Sequence, residues 1–328
     1  MSPSTFLDSL LEITVLGSFS RLGPAIRRRL FTWTDPVPGA LAGRTIVLTG
    51  PTSGLGRETA DRLADLGARI VLVGRDPAKL ERVREALTDR HGEDRFPTVV
   101  ADLSSLDQVH AAVEHIRATE TRLDVLIDNA GAMSPERSTT EDGLETTFAT
   151  MVAGPFALVA GLLPLLRSTP DSRVIAVTSG GQYAQSLHLD DLQYLAEPFD
   201  GVRAYARAKR AQVSLIREWA RRLAGAGVSF ASMHPGWTDT PGLEASLPGF
   251  RRWMGPLLRT PRDGADTIVW LASAAADAIA PGRLYLDRRP RPFDRLPGTR
   301  VPFADRIRLW DAIVALTGMP DPAPEAVR

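Results

Sequence analysis

The chain contains no cysteine, which removes disulfides, thiolate nucleophiles and thiolate-ligated metals at once and fits a reducing compartment. Net charge is missing as well. Thirty-nine basic residues balance 39 acidic ones, so nothing marks a nucleic-acid footprint or a strongly charged macromolecular substrate. Histidine is scarce, and His91, His110, His115, His188 and His234 lack zinc-ligand spacing, so no metal is expected. No run reaches the roughly 18 to 20 uninterrupted apolar residues that a membrane span requires. The opening Met-Ser-Pro-Ser-Thr, followed by Asp8 and Glu12, lacks the positive start of a secretory signal. These absences point to a cytoplasmic protein that works on a small molecule and binds no nucleic acid.

What is present is a chain of 328 residues with 44% hydrophobic content, enough for one core of roughly 250 residues with sequence left at both ends. No internal repeat is visible. Apolar strand-like runs at Thr45–Thr49, Ile70–Val73, Thr98–Val100, Val125–Ile127, Val174–Val177, Val228–Ser232 and Arg283–Leu286 alternate with helical patterns near 55–66, 77–90, 105–119, 143–167, 203–224 and 261–274. Strand-helix alternation with nearly continuous apolar strands predicts an α/β fold. Its form is a Rossmann-type, doubly wound parallel sheet covered on both faces. The expected organisation is a single domain at 41–287, an amphipathic N-terminal extension at 1–40, and a Pro/Arg-rich C-terminal arm at 288–328 draped on the surface.

Thr49-Gly50-Pro51-Thr52-Ser53-Gly54-Leu55-Gly56 follows the first strand and opens a helix. Glycines there let backbone approach a ligand closely, and the helix N-terminus offers free N–H groups and positive potential to a pyrophosphate. At the end of the second strand, Gly74 stands where an acid would accept the 2′-hydroxyl of NAD, and Arg75 follows. An arginine fork suits a 2′-phosphate, so NADP is expected rather than NAD, with Asp76 capping the next helix. Tyr205 and Lys209 are four residues apart and rise from one helix face. An ammonium about 4 Å from the phenol, at an effective dielectric near 20, would lower its pKa by roughly three units before desolvation. Tyr205 would then trade a proton with a substrate oxygen that Ser179, ending a strand, also holds.

Taken together, these strings resemble the short-chain dehydrogenase/reductase family over about residues 40 to 290. Within it, the stretch from Tyr205 to Gln212, Ser232 to Gly242 and Gly264 to Ala272 resembles the member 12 group and retinol dehydrogenase-like relatives. The resemblance implies an adenine contact at Asp102-Leu103, a ribose-side motif at Asn129-Ala130-Gly131, and a nicotinamide-side loop at His234-Pro235-Gly236 continuing to Thr238 and Thr240. It also implies that Lys209 holds ribose hydroxyls. Met151 departs from the pattern, since many members carry an asparagine there that holds a proton-relaying water; the triad would then work with a slower relay, or Thr150 or a backbone carbonyl would substitute.

The segments after Ser179 and after the His-Pro-Gly loop would close the substrate pocket with Tyr183, Leu187, Leu192, Tyr194, Trp237, Leu243, Leu247, Phe250, Trp253 and Met254. Such a lining suits an apolar carbonyl or alcohol, lipid-derived or retinoid-like. Residues 5–33, with Phe6, Leu7, Leu10, Leu11, Val15 and Leu16 before Arg27, Arg28 and Arg29, read either as a peripheral membrane contact or as a helix packed on its own domain or a partner. A homo-oligomer is expected. The competing function is a non-enzymatic NADP(H)-binding sensor, which the two extensions and Met151 favour and the intact Ser179, Tyr205 and Lys209 oppose.

Overall fold

The computed structural model describes residues 2–92, 95–131 and 133–323, so the first residue and the last five of the two expected extensions lie outside it. Three helices lead the chain: α1 (Pro3–Ile13), α2 (Val15–Phe19) and α3 (Leu22–Leu30). Strands and helices then alternate through β1 (Thr45–Thr49), α4 (Gly54–Asp65), β2 (Arg69–Gly74), α5 (Pro77–His91), β3 (Thr98–Val100) and α6 (Leu106–Thr119). The alternation continues with β4 (Val125–Asp128), α7 (Thr146–Ser168), β5 (Ser172–Val177), α8 (Gly201–Arg222) and β6 (Val228–Met233). Two short helices, α9 (Pro241–Ser246) and α10 (Pro248–Met254), precede α11 (Pro261–Ser273), β7 (Leu284–Leu286), β8 (Arg289–Arg291) and α12 (Phe303–Thr317).

The strands form one sheet in the order β3-β2-β1-β4-β5-β6-β7-β8, parallel throughout except for the last pair. The central strands β1, β2, β4 and β5 are buried on both faces, so helices must cover both. One core lies under α6, α7, α8 and α12, the other under α4, α5 and α11. Strand order reverses between β1 and β4, and the crevice beyond their carboxyl ends is where such a sheet receives a ligand. Local signals agree with the elements: Asp76 accepts the Lys79 N–H at 3.0 Å, Pro77 opens α5, and Gly92 ends it in the left-handed region. Helix α7 is long and apolar enough to cross a membrane, yet it is mostly buried here as the central core helix. A π-helical turn at Ala149–Ala153 turns Met151 fully inward.

The two ends of the chain correct the sequence reading. The C-terminal arm is anchored rather than draped: Trp310 on α12 is fully buried, edge-on to Trp219 at 4.6 Å and to Phe156 at 5.1 Å. The sheet also runs past residue 287. Asp287 and Arg288, at φ 54° and 59°, make the two-residue turn into β8, a turn that neither glycine nor asparagine announces. Ion pairs hold that unfavourable backbone: Asp287 meets Arg27 at 2.5 Å and Arg259 at 2.6 Å, and Arg288 meets Asp266 at 2.7 Å.

Arg27 therefore does not belong to an exposed basic end. It is fully buried, and besides Asp287 it contacts Asp8 at 2.7 Å and Glu12 at 2.9 Å, while Arg291 reaches the same Asp8 at 2.8 Å. Burial works to raise the Asp287 carboxyl, but Arg259 and Arg27 outweigh it and hold it below the usual carboxylate range. The N-terminal helices and the C-terminal hairpin are thus pinned to each other and to the domain.

Candidate active site

The glycine turn between β1 and α4 is built for close approach. Gly50 and Gly54 have φ of +67° and +50°, and a Cβ on Gly56 would lie 2.0 Å from the Gly50 carbonyl oxygen. Asn129, after β4, donates from Nδ2 to the carbonyls of Thr49 and Gly50 at 3.0 and 3.1 Å and so fixes the turn from beneath. Thr49 has a different task from the one expected. It is fully buried, and its hydroxyl accepts the N–H groups of Asn129 and Ala130 at 3.0 Å each, stitching β1 to β4.

The remaining walls come from β5, β6 and α8. Ser179 follows β5, with its hydroxyl accepting the Gly181 N–H at 3.3 Å. Helix α8, capped by Asp200 at 3.0 Å from the Arg203 N–H, presents Tyr205 and Lys209 toward it. The cavity they enclose has a volume of about 420 Å³. It brings together Ser53, Gly54, Leu55, Gly56, Asn129, Gly131, Ser179, Tyr205, Lys209, Pro235, Gly236, Thr238 and Thr240. Thr49, Gly50 and Ala130 are not part of that lining; the Ala130 N–H is turned to the Thr49 hydroxyl at 3.0 Å. Arg75, Asp102 and Leu103 lie outside the cavity: Arg75 is exposed beyond β2, Asp102 accepts the Ser104 N–H at 2.9 Å in a local turn, and Leu103 is core.

Of the expected substrate lining, Trp237, Leu243, Leu247 and Phe250 face the cavity. The others do not. Tyr183 is buried with its hydroxyl donating to the Pro292 carbonyl at 3.0 Å. Leu187, Leu192 and Tyr194 line a separate small void, Met254 is buried elsewhere, and Trp253 is 86% exposed.

The electrostatics also depart from the simple tyrosine-lysine pair. Only two of the 39 basic residues are lysines, Lys79 and Lys209, so position 209 keeps a compact, titratable ammonium in a chain that otherwise uses arginine. Lys209 is buried and donates to the Val177 carbonyl at 2.8 Å and to Gln212 Oε1 at 3.2 Å; its Nζ lies 5.7 Å from the centre of the Tyr205 ring. Burial pushes Lys209 down to about 8, opposed by Asp128. Burial pushes the Tyr205 phenol up, opposed by the Ser179 hydroxyl. The expected lowering of Tyr205 by the lysine is therefore not seen in the protein alone, because desolvation dominates and the ammonium is turned to other acceptors. The Thr150 hydroxyl donates to the Thr146 carbonyl at 2.7 Å, which leaves its lone pairs as acceptors.

Sequence reasoning missed Asp128, Gln212, Phe19 and Arg259. Phe19 of α2 packs 4.7 Å from the His234 ring and 5.8 Å from Trp237, and its carbonyl accepts the Trp237 N–H at 2.8 Å and Arg259 Nε at 2.9 Å. The N-terminal extension thus buttresses the loop bearing Pro235 and Gly236. His234 is buried beneath it and pushed down to about 3 by burial, so it stays neutral. For Asp128 a signal existed, an acid directly before Asn129-Ala130-Gly131; for Phe19 there was none.

Comparison with known proteins agrees with this geometry. The family model for short chain dehydrogenases matches residues 44–248. Human dehydrogenase/reductase SDR family member 12 is 43% identical over 251 residues, 76% of this chain and 78% of its own length. Mouse retinol dehydrogenase 14 is 33% identical over 298 residues, covering 86% and 88%. Among solved structures, an uncharacterized protein from Mycobacterium paratuberculosis aligns with a TM-score of 0.71 at 27% identity, over 89% of this chain and 99% of that one.

Proposed function

The chain belongs to the short-chain dehydrogenase family of oxidoreductases, and from that premise we propose that it interconverts a carbonyl and an alcohol on an apolar small molecule, using NADP(H) and Ser179, Tyr205 and Lys209. The observation that carries this reading is the single cavity shared by the glycine turn and those three side chains. Bound NADP(H) supplies or accepts the hydride. In reduction, the Tyr205 phenol, protonated at neutral pH because burial raises it, gives its proton to the oxygen that gains charge, while the Ser179 hydroxyl holds that oxygen. Lys209 orients the ribose and places positive charge near the phenolate that remains.

The choice of NADP(H) rests on Gly74 and Arg75. Asp76 caps α5 through Oδ1, which supports reading it as a helix cap rather than as an acid that selects NAD. A neighbouring groove lined by Thr52, Arg57, Lys79 and Arg82 adds positive charge on the same side, though Glu85 and Asp89 also line it. The apolar substrate rests on Trp237, Leu243, Leu247 and Phe250. Purified protein with NADPH and a panel of aldehydes, ketones and quinones tests the reading, with Tyr205→Phe run beside it. Turnover should fall by about 10³-fold or more in the variant while NADPH still binds. Tight NADPH binding with no turnover in either direction would favour the sensor.

One further element follows from the N-terminal helices. Phe6, Leu10, Ile13, Leu16 and Ile26 are exposed on α1 to α3 beside exposed Arg21 and Arg29, which supports contact of this face with an anionic lipid surface even though Arg27 is withdrawn from it. The protein should co-sediment with phosphatidylserine vesicles and be released by salt; full recovery in the supernatant would remove this element.

A further inference from the structure

Asp128 ends β4 immediately before Asn129, and its carboxylate is buried. One oxygen, Oδ2, accepts a hydrogen bond from Gln212 Nε2, and Gln212 Oε1 in turn accepts one from Lys209 Nζ at 3.2 Å. The other oxygen, Oδ1, is buried without a partner in hydrogen-bond geometry, the Thr49 hydroxyl lying nearby. Lys209 and Gln212 are three residues apart on α8, so they share a helix face. The amide between them is well oriented: its N–H end meets the carboxylate and its carbonyl end meets the ammonium.

The position opposite is the methionine already singled out. A Cβ on Gly131 would lie 3.2 Å from the Met151 sulfur and 3.6 Å from Lys209 Nζ, so sulfur and ammonium flank the same spot. A cavity of about 20 Å³, room for one water, lies among Asp128, Met151, Gln212 and Trp219. Among the described residues around Lys209, β5 offers the Val177 carbonyl, the π-helical turn the Met151 sulfur, and α8 itself the neutral Tyr205 phenol and Gln212 amide. Among the described residues, Asp128 is the one charge acting on Lys209, and Lys209 the one acting on Asp128.

We propose that Asp128 is the buried counter-ion of Lys209, coupled to it through the Gln212 amide, and that this carboxylate supplies the polar support for the lysine that methionine at 151 does not. Asp128 is a positioning residue here, since it acts through Lys209. A buried ammonium needs both hydrogen-bond acceptors and a compensating charge, and two neutral carbonyl oxygens provide only the first. The shifts agree with mutual support. Burial raises Asp128 to about 6 and lowers Lys209 to about 8, and each group's charge opposes the shift of the other. The two titrate as a pair.

The significance for turnover rests on the function proposed above, so the test reads the lysine directly. With lysine labelled at 13Cε, the protein gives two signals, one from Lys79 and one from Lys209. In Asp128→Asn, which keeps the shape and an acceptor for Gln212, the Lys209 midpoint should fall by about one pH unit or more while Lys79 stays in place. The alkaline limb of kcat for NADPH-dependent reduction should move down with it. An unmoved Lys209 midpoint overturns the proposal. If Asp128→Asn does not fold, Gln212→Leu replaces it, with the same downward shift expected and the same null result fatal. If Tyr205→Phe leaves turnover intact, the catalytic reading falls while the lysine titration still decides whether Asp128 is the counter-ion.

Discussion

Two regions flank the cavity and are built on opposite principles. The crevice at β1 and β4 is made of backbone: Gly50 packs against Ala130, Gly56 against the Gly50 carbonyl and Asn129, and Gly54 against Thr240, with no ion pair among the described residues holding the turn. The seam behind the His234–Trp237 loop is made of buried charge, where Arg27, Arg259 and Arg291 meet Asp8, Glu12 and Asp287. The first tolerates no added atom because backbone already fills the space. The second tolerates no removed charge, because each acid left unpaired would sit in low dielectric. The difference explains why one side reads as a short sequence string and the other joins residues more than 200 positions apart.

The strongest way to break this comparison is Arg27→Met, which leaves Asp8, Glu12 and Asp287 short of a partner. It should cost about 3–5 kcal/mol in urea unfolding; a loss below about 1 kcal/mol would show that the seam is not what holds the N-terminal helices. The seam also has a pH signature. Asp287 has a folded pKa below its unfolded value, so its stabilisation is present at neutral pH and is lost as pH falls from about 4 through the depressed folded value. Asp128 has the opposite sign. With a folded pKa raised to about 6, it favours the folded state at low pH and loses that contribution as pH rises through 6.

A smaller effect sharpens the other side. Gly56→Ala places a Cβ 2.0 Å from the Gly50 carbonyl, so the turn must open. A stability loss of roughly 1–3 kcal/mol is expected, together with an NADPH affinity at least tenfold weaker. Unchanged NADPH affinity in a fluorescence titration would mean that the turn has slack and that the contrast between the two regions is overstated.

The elements themselves were legible in the sequence. Expected and observed strands agree within one or two residues because an apolar run of five, bounded by a turn, has few other uses. The glycine turn was equally plain. Trp310 was not, because an isolated tryptophan in a Pro/Arg-rich tail looks the same whether it seals a core or lies exposed. Nor was β8, whose turn places Asp287 and Arg288 in a backbone region they avoid unless distant partners compensate. Tyr183 and Tyr194 were expected in the pocket on hydrophobicity alone, and burial took them elsewhere, since an apolar side chain satisfies any apolar wall.

The sequence by itself determined the α/β order, the place of the glycine turn, and the i, i+4 pairing of Tyr205 with Lys209, because each depends on local spacing and backbone freedom. Only the tertiary structure decided what surrounds them. It turned Lys209 toward Gln212 and Asp128 rather than toward the phenol, withdrew Arg27 from the surface, and set Phe19 behind the Pro235–Gly236 loop. Desolvation and long-range charge set those outcomes, and both are properties of a packed interior rather than of any short stretch of chain.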